Sequence, residues 1–561
     1  MAEHIKKPQL NMNQKLELTW IGKGEEDVLE PRILIENTKY SYGDPHTDNI
    51  IIHGDNLLAL KSLVASGYAG KVKCIYIDPP YNTGNAFDKY DDNVEHSIWL
   101  SLMKQRLELL RELLCPDGVL CMQLDDMEVH YAKVMTDEIF QRQNFVCSIA
   151  IKSSTPSGLK TTHKEKTIIK QKDTMLVYKK SDSLRIKPAY ISRGFWDPHF
   201  SKFLHKDTLE VENLIDILIA QGIVPAGTSN SSIQITPKFQ KFYRMHKDEI
   251  FQTQPVMPEQ HKRLSRDNPN QVYSYTDENG QMNYAMNGRR FSFLSSSMSE
   301  LEDGSYDMAT LLCDFWSDID FQNTQNEGGV AFPASKKPER LLLRVLKMFT
   351  SPGDLVLDSF LGSGTTAAVA HKMGRRYIGI ELGNHAYTHC VPRLQKVIDG
   401  TDQGGITATM GWSGGGGYRF YELAPTLLNK DENGVMVISP EYNAEMLAAA
   451  MAMHEGFCYA PDPDVFWKQG HSTEHDFIYT TTQHLTIETM EYIDSLLGED
   501  ETILICCASH SAGLVNRFPR ITVKRIPRML LGRCVFDPEK NYNLNIITLP
   551  EVADQDDEDD E

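Results

Sequence analysis

The run Asp78-Pro79-Pro80-Tyr81 has the clearest chemical potential in the sequence. An exocyclic amino group is a poor nucleophile because its lone pair is delocalised into the ring of the base. The Asp78 carboxylate and the Pro79 carbonyl could each accept one N–H of such a group, which frees the lone pair to attack a methyl sulfonium. The paired prolines fix the carbonyl direction and remove competing donors. Tyr81 offers a ring on which a flipped base can stack. The tetrapeptide alone could also be a simple turn.

A second motif, residues 358–366, reads Asp-Ser-Phe-Leu-Gly-Ser-Gly-Thr-Thr. Its glycines permit a tight turn and close approach of a ligand to the backbone. The helix that we expect to follow exposes N–H groups that can hold a carboxylate. Glu381, about twenty residues on, ends the next expected strand, where an acid can accept the hydroxyls of a ribose. A glycine loop alone is weak evidence, but strand, helix and acid in register predict a cofactor site.

Strands and helices must position these motifs. The apolar run 72–78 stops at the two prolines and predicts a buried strand. Residues 99–114 have helical periodicity, residues 116–118 form a turn, and residues 119–124 predict a second strand. Strands that alternate with helices indicate an α/β fold with a doubly wound, mostly parallel sheet.

The alternation is lost over the long polar stretch from about 150 to 325 and returns at Lys337. There it predicts a helix over 338–349, a strand over 355–358, a helix over 366–373 and a strand over 376–380. One α/β fold is therefore interrupted by an insertion. The expected divisions are an N-terminal arm (1–45), a catalytic domain (46–150 and 326–400), the insertion (151–325), a C-terminal α/β domain (401–550) and an acidic disordered tail (551–561).

The net charge of −20 at first argues against a nucleic-acid partner, but the charge is uneven. The last eleven residues hold eight acids, whereas residues 152–187 hold ten bases against three acids. This basic stretch is a candidate phosphate-contacting surface, although a solvated face is an equally good interpretation. The candidate DNA-binding residues are Lys152, Lys160, Lys164, Lys166, Lys170 and Lys172.

Several other classes of protein do not fit the composition. No apolar run approaches the ~18 residues of a membrane helix, and the polar N-terminus lacks the core of a signal peptide. The ten cysteines include no Cys-x-x-Cys pair, so we expect reduced thiols and no metal site. These features predict a cytoplasmic protein without a membrane partner.

The motifs together resemble the β-class amino-methyltransferases, in which the Asp-Pro-Pro-Tyr tetrapeptide precedes the cofactor loop and a target-recognition region lies between them. The chain has this circularly permuted order, and Gly54-Asp55 resembles the family's Gly-Asp near the cofactor adenine. Lys337-Pro338-Glu339 resembles the segment before the glycine loop. The longer run 78–84, with Arg106-Leu107 and Asp125-Asp126, is similar to modification subunits of type III restriction systems.

The resemblance implies a Rossmann-like methyltransferase fold with an inserted target-recognition domain. It also implies methyl transfer from S-adenosylmethionine to adenine N6, without metal. The implied partners are duplex DNA, a second copy of the chain and a separate ATP-dependent restriction subunit. The implied cofactor-binding residues are Asp55, Asp358, Phe360, Gly362, Gly364, Thr365, Thr366 and Glu381.

Other activities stay open to different degrees. Cytosine N4 methylation uses the same chemistry, but that branch of the family more often has Ser in place of Asp78. C5-cytosine methylation needs a cysteine nucleophile, usually after proline, and the chain has no Pro-Cys pair. RNA or protein-glutamine methyltransferases rarely have so long an insertion. A recognition module for a nuclease would not need both Asp78 and Glu381. A motor would need a phosphate-binding loop of the Gly-x-x-x-x-Gly-Lys-Ser/Thr type, which is missing from the sequence.

Overall fold

The computed structural model describes residues 17–80, 92–155, 165, 168–278, 280–322, 324, 327–332, 336–515 and 517–536. The chain forms two compact units. Residues 1–186 and 314–561 form the first, and residues 187–313 form the second.

An eleven-stranded sheet organises the first unit, within the described residues. Its order is β1-β20-β3-β19-β18-β4-β5-β7-β6-β17, with β2 beside β20. Neighbours from β20 to β5 are parallel, and β7 is antiparallel to both β5 and β6. The strands are β1 (Leu34–Glu36), β2 (Tyr42–Gly43), β3 (Ile50–His53), β4 (Val72–Ile77), β5 (Leu114–Leu124), β6 (Phe145–Lys152), β7 (Lys172–Lys179), β17 (Phe315–Trp316), β18 (Leu355–Asp358), β19 (Arg376–Glu381) and β20 (Gly417–Leu423).

Helices cover both faces of this sheet. One face packs against α1 (Asn56–Leu63), α2 (Asp92–Leu113) and α3 (Val129–Phe140) in a shared apolar core. The opposite face carries α8 (Thr365–Lys372), whose His371 contacts the Tyr377 hydroxyl on the strand side facing away from that core. Other helices of this part are α7 (Glu339–Phe349), α9 (Val391–Ile398), α10 (Thr407–Met410) and the π-helical turns Val64–Tyr68 and Ala386–Cys390. The expected doubly wound, mostly parallel fold is confirmed.

The local structure follows the sequence pattern closely around the two motifs. Strand β4 is an almost wholly buried apolar run that ends before the two prolines. Helix α7 begins directly after Pro338, as expected of a proline at a helix start. Strand β5 begins at Leu114, five residues earlier than predicted, because Val72 pairs with Leu114 and Cys74 with Val119. The turn 116–118 is therefore accommodated as an irregularity within the strand.

The second unit contains two antiparallel sheets and three α-helices, within its described residues. The six-stranded sheet has the order β10-β9-β11-β14-β13-β12, and the three-stranded sheet β15-β16-β8. The helices are α4 (Leu214–Ala220), α5 (Pro237–Met245) and α6 (Glu259–Asp267). The strands are β8 (Tyr190–Ser192), β9 (Lys202–His205), β10 (Glu210–Asn213), β11 (Ile250–Gln254), β12 (Tyr273–Thr276), β13 (Met282–Met286), β14 (Arg289–Phe293), β15 (Met298–Glu300) and β16 (Tyr306–Leu311).

The C-terminal part of the first unit adds a smaller five-stranded sheet. One face of this sheet shares an apolar core with the helix at 444–455, and the other face shares one with the helix at 487–496. Its last three strands, β25 to β27, are parallel. The elements are β21 (Leu428–Lys430), β22 (Met436–Ile438), α11 (Ala444–Glu455), β23 (Cys458–Tyr459), β24 (Gly470–Thr473), β25 (Asp476–Leu485), α12 (Ile487–Leu496), β26 (Thr502–His510) and β27 (Ile521–Arg525).

The compact units and strand pairings differ from the expected divisions at four places. The second unit begins at Lys187 rather than 151, because β7 pairs with β5 in the central sheet, and it ends at Cys313 rather than 325. Strand β20 falls within 401–550 yet pairs with β3. Strand β1 falls within the expected arm and pairs with β20. Strand pairing across distant segments sets these boundaries. Among the described residues, the helices are too short or too polar to cross a membrane.

Candidate active site

Five neighbouring parallel strands, in the order β3, β19, β18, β4 and β5, end at one edge of the central sheet. An acidic residue stands at or just after the end of each strand. In that order these are Asp55, Glu381, Asp358, Asp78 and Asp125. Ligands of doubly wound folds bind at the carboxyl ends of the strands. The fold therefore brings the two sequence motifs to one edge, although 280 residues (358 − 78) separate their aspartates.

Asp78 lies directly after β4 and forms an ion pair with Lys337 through its Oδ2 atom. Both side chains are mostly buried, at 20% and 15% exposure. The turn that carries Asp78 is fixed from the helix side, since the indole N–H of Trp99 donates to the Pro80 carbonyl (3.0 Å). Tyr81 lies outside the described residues.

The glycine loop is organised around the buried Asp358. Its carboxylate accepts the Phe360 N–H (2.9 Å) and the Thr366 hydroxyl (2.5 Å), so it connects strand, loop and helix. Burial raises the pKa of Asp358 to about 7, the charges of Asp78 and Glu381 add to this rise, and the hydrogen bonds from Thr366 and Phe360 act in the opposite direction. Gly364 has a φ of +79° at the start of α8, a conformation that a side chain would strain.

Glu381 closes the other side of the glycine loop. Its carboxylate accepts the N–H of Gly362 (2.7 Å) and the N–H of Gly383 (3.1 Å). Burial raises the pKa of Glu381, and these two hydrogen bonds act in the opposite direction. The acid expected to accept ribose hydroxyls therefore lies beside the loop, oriented by backbone donors.

Asp55 contributes to the edge through its position at the start of α1. Its carboxylate accepts the N–H groups of Leu57 (2.9 Å) and Leu58 (3.2 Å), which caps the helix. The buried Arg106 of α2 lies 3.5 Å from the same carboxylate and donates to the Asn56 side chain (2.6 Å). Asn56 in turn donates to the Ser359 carbonyl (2.6 Å), so a chain of hydrogen bonds connects α2 and α1 to the glycine loop.

A buried charge network supports the same loop from α7 and α9. Arg393 donates to the Thr365 hydroxyl (2.7 Å) and to Glu339 Oε1 (2.8 Å). Glu339 Oε2 also accepts from Lys372 (2.8 Å), whose ammonium pairs with Asp402 (2.6 Å). Two cations and two carboxylates are thus enclosed together, each almost fully buried.

Sequence reasoning missed most of these supporting contacts. Lys337 and Arg106 stood within segments that resemble the family, but without a role. Arg393 gave a weak signal, since it occupies a position on α9 among the buried Val391 and Leu394. A charged residue on the apolar face of a helix is a usable indication of a buried ion pair.

The basic stretch is only partly described. Lys160, Lys164 and Lys166 lie outside the described residues, and Lys152 ends β6 on an exposed position. Lys170 pairs with Asp173 (3.2 Å) and approaches Asp125 (3.6 Å). Lys172 pairs with Asp126 (2.6 Å). Contact of this stretch with DNA stays a prediction, and two of its lysines lie at the end of β5, beside the acidic edge.

Within the described ranges, His, Cys, Asp and Glu side chains form no group that could hold a metal ion. The arrangement instead offers acceptors at Asp78, backbone donors at the loop and an oriented acid at Glu381. These groups suit a polar organic ligand and a substrate that presents N–H groups.

The sequence matches the DNA methylase family over residues 72–391, more than half of the chain. This chain belongs to the DNA methylase family. The matched part of this DNA methylase contains Asp78, the glycine loop and Glu381, whereas Asp55 and the C-terminal sheet lie outside it.

Individual relatives agree with the family. The chain is 36% identical over 424 residues, 70% of its length, to the Haemophilus influenzae protein named probable type III restriction-modification enzyme HindVI Mod subunit, and covers 56% of that protein. It is 27% identical over 291 residues, 45% of its length, to the Escherichia coli type III restriction-modification enzyme EcoP15I Mod subunit, and covers 41% of it. The DNA methylase thus spans about half the length of the curated relatives that it matches.

Among solved structures, the PvuII DNA methyltransferase (cytosine-N4-specific) aligns with 62% of this DNA methylase and 86% of its own chain. The sequence identity is 15% and the TM-score 0.32.

Proposed function

We propose that this DNA methylase transfers a methyl group from S-adenosylmethionine to N6 of adenine in duplex DNA. The observation that supports this most is the edge itself, where Asp78 follows β4 beside the glycine loop of β18 and the oriented acid of β19. Neighbouring strand ends can therefore bind both molecules of the reaction. The end of β4 suits a methyl acceptor with N–H groups, and the ends of β18 and β19 suit a cofactor with a carboxylate and a ribose.

The residues present fit S-adenosylmethionine. Helix α8 begins at Thr365 directly after the loop, so its unpaired N–H groups can hold the carboxylate of the cofactor. Glu381 can accept the ribose hydroxyls, and Gly54-Asp55 lies on the neighbouring strand end for the adenine side. When bound, the cofactor supplies an activated methyl group on a sulfonium.

Asp78 then acts on the target amino group. A carboxylate has about four lone-pair sites, so Asp78 can accept a substrate N–H while its Oδ2 atom remains paired with Lys337. The Pro79 carbonyl can accept the second N–H. As positive charge develops on the attacking nitrogen, these fixed acceptors stabilise it more than they stabilise the ground state.

Adenine is the preferred base for two reasons. The position that more often carries Ser in the cytosine branch carries Asp78 here, as the resemblance implies. The two curated relatives named above are type III Mod subunits by name, the class whose resemblance implies adenine N6 as the target. We further infer that the chain works in the cytoplasm as the modification subunit of a type III system, as a homodimer with an ATP-dependent restriction subunit.

The decisive variant removes the acceptor at Asp78. Asp78→Ala should lose turnover by on the order of 10²-fold or more, because one oriented acceptor is lost from the transition state. S-Adenosylmethionine binding should persist, since Asp78 is not part of the glycine loop. The assay is transfer of labelled methyl to duplex DNA followed by nucleoside analysis, with N6-methyladenine as the expected product. Asp500→Ala, an exposed acid of the C-terminal part, is the matched control.

Asp78→Asn refines the same experiment. Its amide oxygen can still accept one N–H, so part of the activity should survive. Label on cytosine would show that the base assignment is wrong, and wild-type turnover of Asp78→Ala would contradict the catalytic role of Asp78.

A further inference from the structure

A row of polar side chains crosses the ends of three neighbouring strands at the edge of the central sheet. His53, the last residue of β3, is in register with Glu381 of β19 on one side and with Glu422 of β20 on the other. Residues in register on neighbouring strands point to the same face of a sheet, and such strands lie about 4.8 Å apart. Ile52 and Ile380, one residue earlier, belong to the core shared with α1 to α3, so the row faces the opposite side. His53 therefore lies beside the acid that we expect to bind a ribose.

The chain turns sharply after His53 and is fixed there by its backbone. The next residue, Gly54, donates its N–H to the Glu381 carbonyl (3.0 Å). Its φ is +145°, and a Cβ at this position would lie 2.6 Å from the Cβ of Leu423, so the turn requires glycine. Asp55 follows as the N-cap of α1. The turn thus holds His53 next to Glu381 and two residues before Asp55, both of which we expect in the cofactor site.

One ring nitrogen of His53 is held by two neighbours. Its Nδ1 atom lies 2.7 Å from Glu422 Oε2 and 2.8 Å from the Tyr387 hydroxyl oxygen. The Tyr387 hydroxyl donates to Glu422 Oε1 (2.7 Å), and the Asn37 amide donates to the same oxygen (3.1 Å). Because the hydroxyl hydrogen of Tyr387 goes to Glu422, both oxygens near Nδ1 are acceptors. The neutral ring of His53 therefore holds its proton on Nδ1.

The other ring nitrogen, Nε2, then carries a lone pair and is an acceptor. Within the described part of the chain Nε2 has no hydrogen-bond partner, and the His53 side chain is 26% exposed. Burial acts to raise the pKa of Glu422, but hydrogen bonds from Tyr387, His53 and Asn37 hold it below its usual range. The carboxylate that orients the ring is therefore charged at neutral pH. The arrangement offers an oriented acceptor beside Glu381 that can bind a ligand.

We propose that His53 is a further cofactor-binding residue, whose Nε2 atom accepts one ribose hydroxyl of S-adenosylmethionine while Glu381 accepts the other; this rests on the proposed function. A ribose presents two neighbouring O–H donors, and the ends of β19 and β3 present two neighbouring acceptors. Glu422 and Tyr387 are positioning residues, because they act on the cofactor only through the orientation of the His53 ring. His53, Asn37 and Glu422 lie outside the residues that match the DNA methylase family, so this part of the site is additional to the matched motifs.

The first test separates the two ring nitrogens by two substitutions in the full chain. The amide of Asn reaches only as far as Nδ1, whereas the amide of Gln reaches as far as Nε2 and its oxygen can accept. His53→Asn should bind labelled S-adenosylmethionine about tenfold more weakly, because one ribose hydroxyl loses its acceptor. His53→Gln should recover part of this loss. Equilibrium dialysis measures both affinities, and the exposed His471→Asn is the matched control.

The second test distinguishes a lost contact from general damage to the site. Adenosine and 2′,3′-dideoxyadenosine compete with labelled S-adenosylmethionine, and only adenosine carries ribose hydroxyls. His53→Asn should weaken the binding of adenosine about tenfold and leave that of dideoxyadenosine nearly unchanged. An equal loss for the two competitors would overturn the ribose contact, because damage to the site affects both.

A double-variant cycle tests the positioning role of Glu422. Glu422→Ala should weaken cofactor binding in the wild-type protein but cause little further loss in His53→Asn, because its effect passes through the His53 ring. Equal losses in the two backgrounds would show that Glu422 acts independently of His53.

The outcomes separate the role of His53 from the proposed function. If His53→Asn binds S-adenosylmethionine as tightly as the wild type does, the ribose contact is refuted and the proposed function stands. If binding depends on His53 as expected but the wild type transfers no methyl group to DNA, the proposed function is refuted and the ribose contact stands.

Discussion

Asp78 and Asp358 are two aspartates at one sheet edge, and their carboxylates lie in different environments. Asp78 forms an ion pair with the Lys337 ammonium, which holds its carboxylate in one orientation. Asp358 is fully enclosed, and burial raises its pKa to about 7, so much of it is neutral near that pH. The negative charge of Asp358, which lies between Asp78 and Glu381, is therefore reduced. Asp358 serves to hold the loop rather than to act on a substrate.

Lys337 should act by orienting Asp78. Lys337→Met removes the ion pair with the Asp78 carboxylate, so kcat should fall about tenfold, a modest share of what one oriented donor contributes in an active site. KM for DNA should change little, and Lys337→Arg should recover part of kcat because its guanidinium can also pair with a carboxylate. Steady-state methyl-transfer kinetics give kcat and the KM for DNA of both variants, and the exposed Lys430→Met serves as control. A wild-type kcat for Lys337→Met would refute the orienting role.

At the scale of elements, the sequence predicts what depends on local pattern. Strand β4, helix α7 and helix α8 lie within a residue or two of their predictions, because apolar runs, prolines and glycines set their ends. The order of the strands in the sheet depends on pairing between distant segments, which a single sequence does not encode locally. The Arg393–Glu339 contact joins residues 54 positions apart, so spacing alone could not reveal it.

The buried network of α7, α8 and α9 should be cooperative. Glu339→Gln leaves an excess cation in the core and Arg393→Met leaves an excess carboxylate, so each should destabilise the protein by about 3–5 kcal/mol. The double variant restores the charge balance with Lys372 and Asp402, and its loss should be clearly smaller than the sum of the two single losses. Urea unfolding of the three variants measures the coupling. Strictly additive losses would show that the charges do not interact.

At the scale of the whole molecule, the sequence predicts that an insertion interrupts the fold, but it does not predict where the insertion begins and ends. The loss of strand–helix alternation after residue 150 predicts it. However, β6 and β7 belong to the central sheet, which therefore extends to Lys179. Strand β7 is antiparallel to its neighbours, and the periodicity of its sequence does not show whether it belongs to the central sheet or to the insertion. The compact unit 187–313 is therefore shorter than the predicted insertion 151–325.

The chain enters and leaves this unit at adjacent points, since the Leu312 N–H donates to the Ala189 carbonyl (2.9 Å) and Tyr190 pairs with Leu311. Replacing residues 190–311 by a short Gly-Ser linker should therefore leave the first unit folded. Calorimetry should show S-adenosylmethionine binding within a few-fold of the full chain, because the glycine loop and Glu381 belong to the first unit. Duplex binding should weaken by at least tenfold and methyl transfer should be lost. If the shortened protein still binds and methylates DNA as the full chain does, the recognition surface lies in the first unit, and the basic stretch 152–187 becomes the leading candidate.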